Sequence, residues 1–144
     1  MKFGNTQSKD LIVHRDERGH LFEVLRSDDH LFEGFGQVYV NYTLPGIVRG
    51  FHRHFKHSDI ICCLVGSILL VTVDDVGNLE EQVISENEPR LIKIPPTIWH
   101  GFQGISKEAA LTMSVVKYPF NPDTPDVEIV DAFDNPWSYQ WRQL

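Results

Sequence analysis

What most restricts this chain is a missing pattern. Nowhere in its 144 residues do apolar side chains recur at i, i+3, i+4 and i+7 for more than a turn or two, so a helix would have no apolar stripe to bury. Instead there are about ten short β-rich runs: Leu11–Val13, His20–Leu25, Gly36–Leu44, Ile47–His54, Ile60–Val65, Ser67–Val73, Glu81–Ile84, Arg90–Ile94, Gly101–Gly104 and Ala109–Tyr118. Asp16-Glu17-Arg18-Gly19, Leu44-Pro45-Gly46, Asp74-Asp75-Val76-Gly77-Asn78 and Pro95-Pro96 punctuate them. Strands this dense, with no crossover helices between them, exclude a parallel α/β fold. They predict an all-β chain, an antiparallel β-barrel or jelly roll that disposes of exposed edges, with helix confined to a turn or two.

The length suits one domain spanning 1–144. Its last stretch, 121–144, is proline-rich and acidic yet carries Phe133, Trp137, Tyr139 and Trp141, which predicts a segment docked on the barrel rather than a free tail. Thirteen Lys and Arg against twenty Asp and Glu give a net charge of −7, which repels phosphate backbones and anionic lipid, so neither nucleic acid nor a membrane is an expected partner. The longest apolar run, Ile60–Gly66, is far short of the ~20 residues of a membrane span. The first residues, Met1-Lys2-Phe3-Gly4-Asn5, lack a secretory signal. The expected location is the cytoplasm. Cys62 and Cys63 are neighbours inside an apolar run, so no disulfide framework exists and both are expected to be buried.

Four of the seven histidines stand out by spacing. His52, His54 and His57 fall in Arg49-Gly50-Phe51-His52-Arg53-His54-Phe55-Lys56-His57-Ser58-Asp59, and His100 ends Pro95-Pro96-Thr97-Ile98-Trp99-His100. On a strand, His52 and His54 project from one face, so two imidazoles converge. That geometry serves either a metal or a pair of acid–base groups. His14, His20 and His30 are expected at the surface.

The order His-x-His, an acid and a glycine, met by His52, His54, Asp59 and Gly66, followed by Pro95 and His100, resembles the paired signatures of the cupin superfamily. Asp59 stands where that family usually has Glu, and Thr97 where it has Gly. A second resemblance covers nearly the whole chain. Asp16-x-Arg18-Gly19-x-Leu21-x-Glu23, Phe35-Gly36-Gln37, Pro45-Gly46-Ile47-Val48-Arg49-Gly50-Phe51-His52, Ile94-Pro95-Pro96, His100-Gly101-Phe102 and the late Asp134-Asn135-Pro136 with Trp141 are together similar to the dTDP-4-dehydrorhamnose 3,5-epimerases and their shorter relatives. The resemblance implies Arg18, Glu23, Gln37 and Arg49 around a nucleotide-sugar, His52 as base and His100 beside the sugar. Where the epimerases carry a Lys about ten residues after the base, this chain has Asp59. Where they carry a Tyr ahead of the proline-rich segment, the register offers Ser114, with Tyr118 the nearby phenol. Arg49-Gly50-Phe51-His52-Arg53-His54 also resembles the Arg-Gly-x-His-x-His of dTDP-sugar 3,4-ketoisomerases.

The implied activity is epimerisation or isomerisation of a nucleotide-linked 4-keto deoxysugar without a cofactor, with His52 and either His54 or Tyr118 carrying protons. A 4-keto group acidifies the neighbouring C–H, histidine takes that proton near neutral pH, and arginine matches diphosphate. One alternative is a metal-dependent cupin enzyme in which His52, His54, Asp59 and His100 hold Fe, Mn, Ni or Zn. The other is a cupin that binds carbohydrate without catalysis. A homodimer is expected, because relatives of this shape pair through sheets and an isolated barrel leaves edges to cover.

Overall fold

The computed structural model describes residues 2–144. It is all-β, with no helix among the described residues. The strands are β1 (Lys2–Phe3), β2 (Thr6–Asp10), β3 (His14–Asp16), β4 (Gly19–Leu21), β5 (Gln37–Thr43), β6 (Val48–Arg53), β7 (Asp59–Val65), β8 (Ser67–Val73), β9 (Leu79–Ser85), β10 (Arg90–Ile94), β11 (Trp99–Gly104), β12 (Ala110–Val116) and β13 (Glu128–Ile129). A six-stranded sheet, β1-β2-β10-β7-β12-β5, and a five-stranded sheet, β13-β6-β11-β8-β9, hold all of them except the β3–β4 hairpin. The strand pairings are antiparallel, and the jelly roll expected from the sequence is the fold observed.

Three apolar layers follow from period-two alternation. Between the sheets lie Ile61, Cys63, Ile68, Leu70, Ile84, Ile92, Ile94, Phe102 and Ala110. On the outside of the six-stranded sheet, Ile60, Cys62, Leu91 and Val115 are covered by Leu11, Phe22, Val24, Leu25 and Leu31. On the outside of the five-stranded sheet, Phe51, Leu69, Val71, Val73 and Trp99 are covered by Val130, Trp137, Tyr139 and Trp141 from the C-terminal segment. Because both faces of β7 and β8 are buried, these strands read as unbroken apolar runs. Each fully buried Ile or Leu contributes ~1.5–3 kcal/mol. Cys62 and Cys63 are both buried and free, one on each side of β7.

Two of the expected strands lie elsewhere. The first full strand is Thr6–Asp10 rather than Leu11–Val13. Its inward positions are the buried Thr6 and Ser8, and Gln82 donates from Nε2 to Thr6 Oγ1 at 2.8 Å. A polar strand gives no apolar signal, whereas Leu11 has left the ladder to cover the sheet. Of His20–Leu25 only the start is strand, since Phe22, Val24 and Leu25 serve as cover.

Candidate active site

Strand β6 carries the site because it is irregular. His52 lies opposite His100, and Arg49 lies opposite Phe102, so three steps on β6 match two on β11. Residues three apart on a regular strand point to opposite faces; this bulge turns Arg49 and His52 to the same one. Phe102 belongs to the central layer, so that face is the interior. Gly50 makes the bulge possible. Its φ is +151°, and a Cβ there would lie 2.6 Å from the Cα of Gly101.

His52, His54 and His100 converge with Asp59, which opens β7. Ring centroids of His52 lie 4.2 Å from His100 and 5.3 Å from His54. Each of the four residues offers one donor atom, and these atoms all lie within 4.8 Å of one another. Backbone carbonyls fix two of the rings. His54 donates from Nδ1 to Asp126 O at 2.7 Å, and His100 donates from Nδ1 to Ile98 O at 3.0 Å. In each, the Nε2 is left to face the cluster. His100 Nε2 lies 3.4 Å from Asp59 Oδ2, and Tyr39 donates its hydroxyl to the same oxygen at 3.3 Å.

Burial dominates the electrostatics. It pushes His52 down from 6.5 to about 3, with the neighbouring His100 adding to the effect. Burial lowers His54 as well, against the bond to the Asp126 carbonyl. For Asp59, burial alone would raise the carboxyl; His100, His52 and His54 outweigh it and hold the group below the usual carboxylate range. The result is a neutral His52 and His54 beside an ionised acid. Asp59 Oδ1 and His100 Nε2 are buried without a hydrogen-bond partner.

A cavity of about 670 Å³ opens next to the cluster. It is lined by Gln37 and Tyr39 of β5, by Tyr118 and Phe120, and by His54, Lys56, His57 and Asp126. Gln37 accepts the Phe120 N–H at 2.9 Å. Arg49 is exposed at the far end of β6, where Nε donates to Thr43 Oγ1 at 2.9 Å and Nη2 to Tyr42 O at 3.2 Å.

The structure thus brings together His52, His54, Asp59 and His100, and sets Gln37 and Tyr118 on the cavity wall. It does not bring Arg18 or Glu23 there. Arg18 is exposed at the β3–β4 turn on Asp16, Nη2 to Oδ2 at 2.5 Å, and Glu23 is exposed with Arg26 at 3.3 Å. His14, His20 and His30 are exposed. The sequence reading assigned no role to Tyr39 and Asp126. Tyr39 was within reach, since it shares a face with Gln37 two residues earlier. Asp126 had no signal, because only the fold carries the C-terminal segment past His54. Its carboxylate accepts the N–H groups of Phe55 and Lys56 at 3.0 and 2.9 Å and lies 3.8 Å from His57 Nε2.

Known proteins resemble this chain in sequence and in fold. The family model described as the polysaccharide biosynthesis C-terminal domain matches residues 14–128. The chain is 36% identical over 132 residues to a probable low-salt glycan biosynthesis epimerase, Agl13, of Haloferax volcanii, covering 86% of this chain and 85% of that one. It is 25% identical over 118 residues to the TDP-4-oxo-6-deoxy-alpha-D-glucose-3,4-oxoisomerase of Aneurinibacillus thermoaerophilus, covering 82% of each. The crystal structure of a dTDP sugar isomerase from Desulfovibrio desulfuricans G20 matches with a TM-score of 0.85 at 26% identity, covering 93% of this chain and 88% of that one. A dTDP-6-deoxy-D-glucose-3,5-epimerase from Legionella pneumophila and a dTDP-4-dehydrorhamnose 3,5-epimerase from Sulfolobus tokodaii share the fold at 19 and 22% identity, each with a TM-score of 0.82. With a match over most of its length, this chain belongs to the polysaccharide biosynthesis C-terminal domain family, and its fold is the cupin jelly roll of the sugar epimerases and isomerases.

Proposed function

We propose that the protein is a sugar epimerase or ketoisomerase that moves a proton next to the ketone of a nucleotide-linked 4-keto-6-deoxy sugar. The observation that carries this reading is the pair of neutral imidazoles, His52 and His54, on one face of β6, with His54 lining the cavity and His52 beside it. The 4-keto group makes the adjacent C–H acidic, and the lone pair of His52 takes that proton to leave an enediolate. In an isomerisation the protonated His52 returns its proton to the former ketone carbon on the same face, while the lone pair of His54 Nε2 takes the proton of the neighbouring hydroxyl and passes it to the former ketone oxygen. Return of a proton to the opposite face of the sugar by Tyr118, which lines the same cavity, inverts the carbon instead. Asp59 and His100 orient the base, and Arg49 meets the diphosphate. The named activities of the epimerase and oxoisomerase relatives support the same chemistry. We take the location to be the cytoplasm and the working form to be a homodimer.

The test is solvent deuterium exchange. Incubated in D₂O with a thymidine-diphospho-4-keto-6-deoxy sugar, the protein should incorporate deuterium at the carbon beside the ketone, and analysis of the product separates epimer from 3-keto isomer. Tight binding without exchange would replace this reading by a carbohydrate-binding role.

The metal-dependent alternative keeps one observation in its favour. Asp59 Oδ1 and His100 Nε2 are orphaned, and three imidazoles with a carboxylate suit Fe, Mn, Ni or Zn. His52, His54, Asp59 and His100 would hold the ion, which would polarise the ketone oxygen. Stoichiometric metal by elemental analysis, with activity lost on chelation and restored by ion, would select it; full activity after exhaustive chelation would remove it.

A further inference from the structure

Arg53 sits between His52 and His54, and alternation turns it to the outer side of the sheet. Its surroundings are not those of a surface charge, for the side chain is only 19% exposed. The guanidinium carbon lies 4.5 Å from the ring centre of Trp99 and 5.0 Å from that of Phe55. Nη1 donates to Asp75 Oδ1 at 3.0 Å, while Nη2 and Nε donate to Glu128 Oε2 at 3.0 and 3.3 Å. Three of these four contacts lead to the site. Trp99 precedes His100, Phe55 follows His54, and Glu128 pairs with Arg53 across β13 and β6, two residues after the Asp126 carbonyl that fixes His54.

We propose that Arg53 is a positioning residue, a flat cation in contact with Trp99 and Phe55 that holds His54 and His100 at their working separation from outside the sheet. This rests on the histidine cluster being the reaction centre. The planar fork matters as much as the charge. A guanidinium stacks on two rings and bonds two carboxylates at once, whereas an ammonium on a flexible stem does neither. Exposed ion pairs alone hold little, so the stacked rings carry the constraint.

The experiment compares Arg53→Met and Arg53→Lys with Leu69→Ala, a cavity in the same outer layer but distant from Trp99, at temperatures equally far below each melting point. The ¹⁵N ring signals of His54 and His100 report their Nδ1–H bonds without reference to turnover. In Arg53→Met both signals should move well beyond their shifts in Leu69→Ala. With a thymidine-diphospho-4-keto-6-deoxy sugar, kcat should fall by about tenfold to a hundredfold while KM stays within about twofold, the mark of misplaced reacting groups. Arg53→Lys should recover less than half of the lost rate. Ring signals no more perturbed than in Leu69→Ala, or complete recovery by lysine, would overturn the proposal. Because the ring signals are read without substrate, a wild-type protein that lacks exchange activity would sink the enzyme reading and leave this inference to be decided by the spectra.

Discussion

His52 enters every enzymatic reading, and burial sets the state in which it works. The asparagine variant keeps a polar side chain of similar reach but accepts no proton at neutral pH, and loss of a general base costs ~10²–10⁴ in rate. His52→Asn should therefore fold, bind the thymidine-diphospho sugar and lose deuterium exchange, as followed by NMR of the sugar protons. The depressed values also fix how stability responds to pH. An unfolded chain takes up these protons near the ordinary histidine value of 6.5, whereas in the fold His52 resists them to about 3 and His54 is lowered in the same direction. Below pH 6.5 the unfolded state binds more protons, so this stability is complete above that value and is lost as pH falls. The melting temperature should drop between about pH 7 and pH 5, with a shallower slope in His52→Asn, as read by thermal melts in matched buffers. A slope unchanged by the substitution would mean that other groups set it.

Among the elements, β6 is the one whose irregularity shapes the proposed site. Its bulge aligns Arg49 with His52, and its outer face is locked by the C-terminal segment through Phe51, which packs on Trp137 at 5.0 Å and Trp141 at 5.2 Å between ring centroids. Trp141 also donates its indole N–H to Ala132 O at 2.9 Å. Gly50 is the weak point of this arrangement. Gly50→Ala introduces a Cβ against the Gly101 backbone in a conformation that side chains rarely adopt. It should cost more than ~1 kcal/mol in urea unfolding, because the native backbone is incompatible with a side chain. Activity should fall further than stability does, since relief of the clash moves β6 away from β11 and separates His52 from His100. Gly77→Ala, a positive-φ turn position with nothing within 4 Å, is the control, expected to lose some stability and keep its rate.

At the scale of the molecule, the cover over the six-stranded sheet is incomplete. Residues 11–31 shield β10, β7 and part of β12, but β5 is an edge strand. Its outward Val38, Val40 and Tyr42 are 45%, 53% and 65% exposed, next to Phe35 at 68%. An apolar face with an unpaired backbone edge invites a second copy, and this is the structural argument for the proposed homodimer. Sedimentation at micromolar concentration should give twice the 16.6 kDa of one chain, and Val40→Lys, which places a charge in that face, should shift the protein to monomer. A single 16.6 kDa species for the unaltered protein would refute the dimer.

By itself the sequence determined the fold class, most strand positions and the converging histidines, because each depends on short-range periodicity. Ser67–Val73 and Arg90–Ile94 coincide with β8 and β10, since apolar runs between turn residues have few other ways to bury themselves. His52 and His54 share a face by period two, and His100 was legible from its resemblance to known barrels. The polar strand Thr6–Asp10 was hidden, because its burial depends on a partner as remote as Gln82. The parity of Arg49 was equally invisible, since a bulge is a property of two paired strands and not of one. Only the tertiary structure decided that the carbonyl of Asp126 sets the tautomer of His54, that Tyr39 reaches Asp59, and that Arg18 and Glu23 stand apart from the cavity within one chain. Those facts are contacts between segments distant along the chain, and local patterning has no term for them.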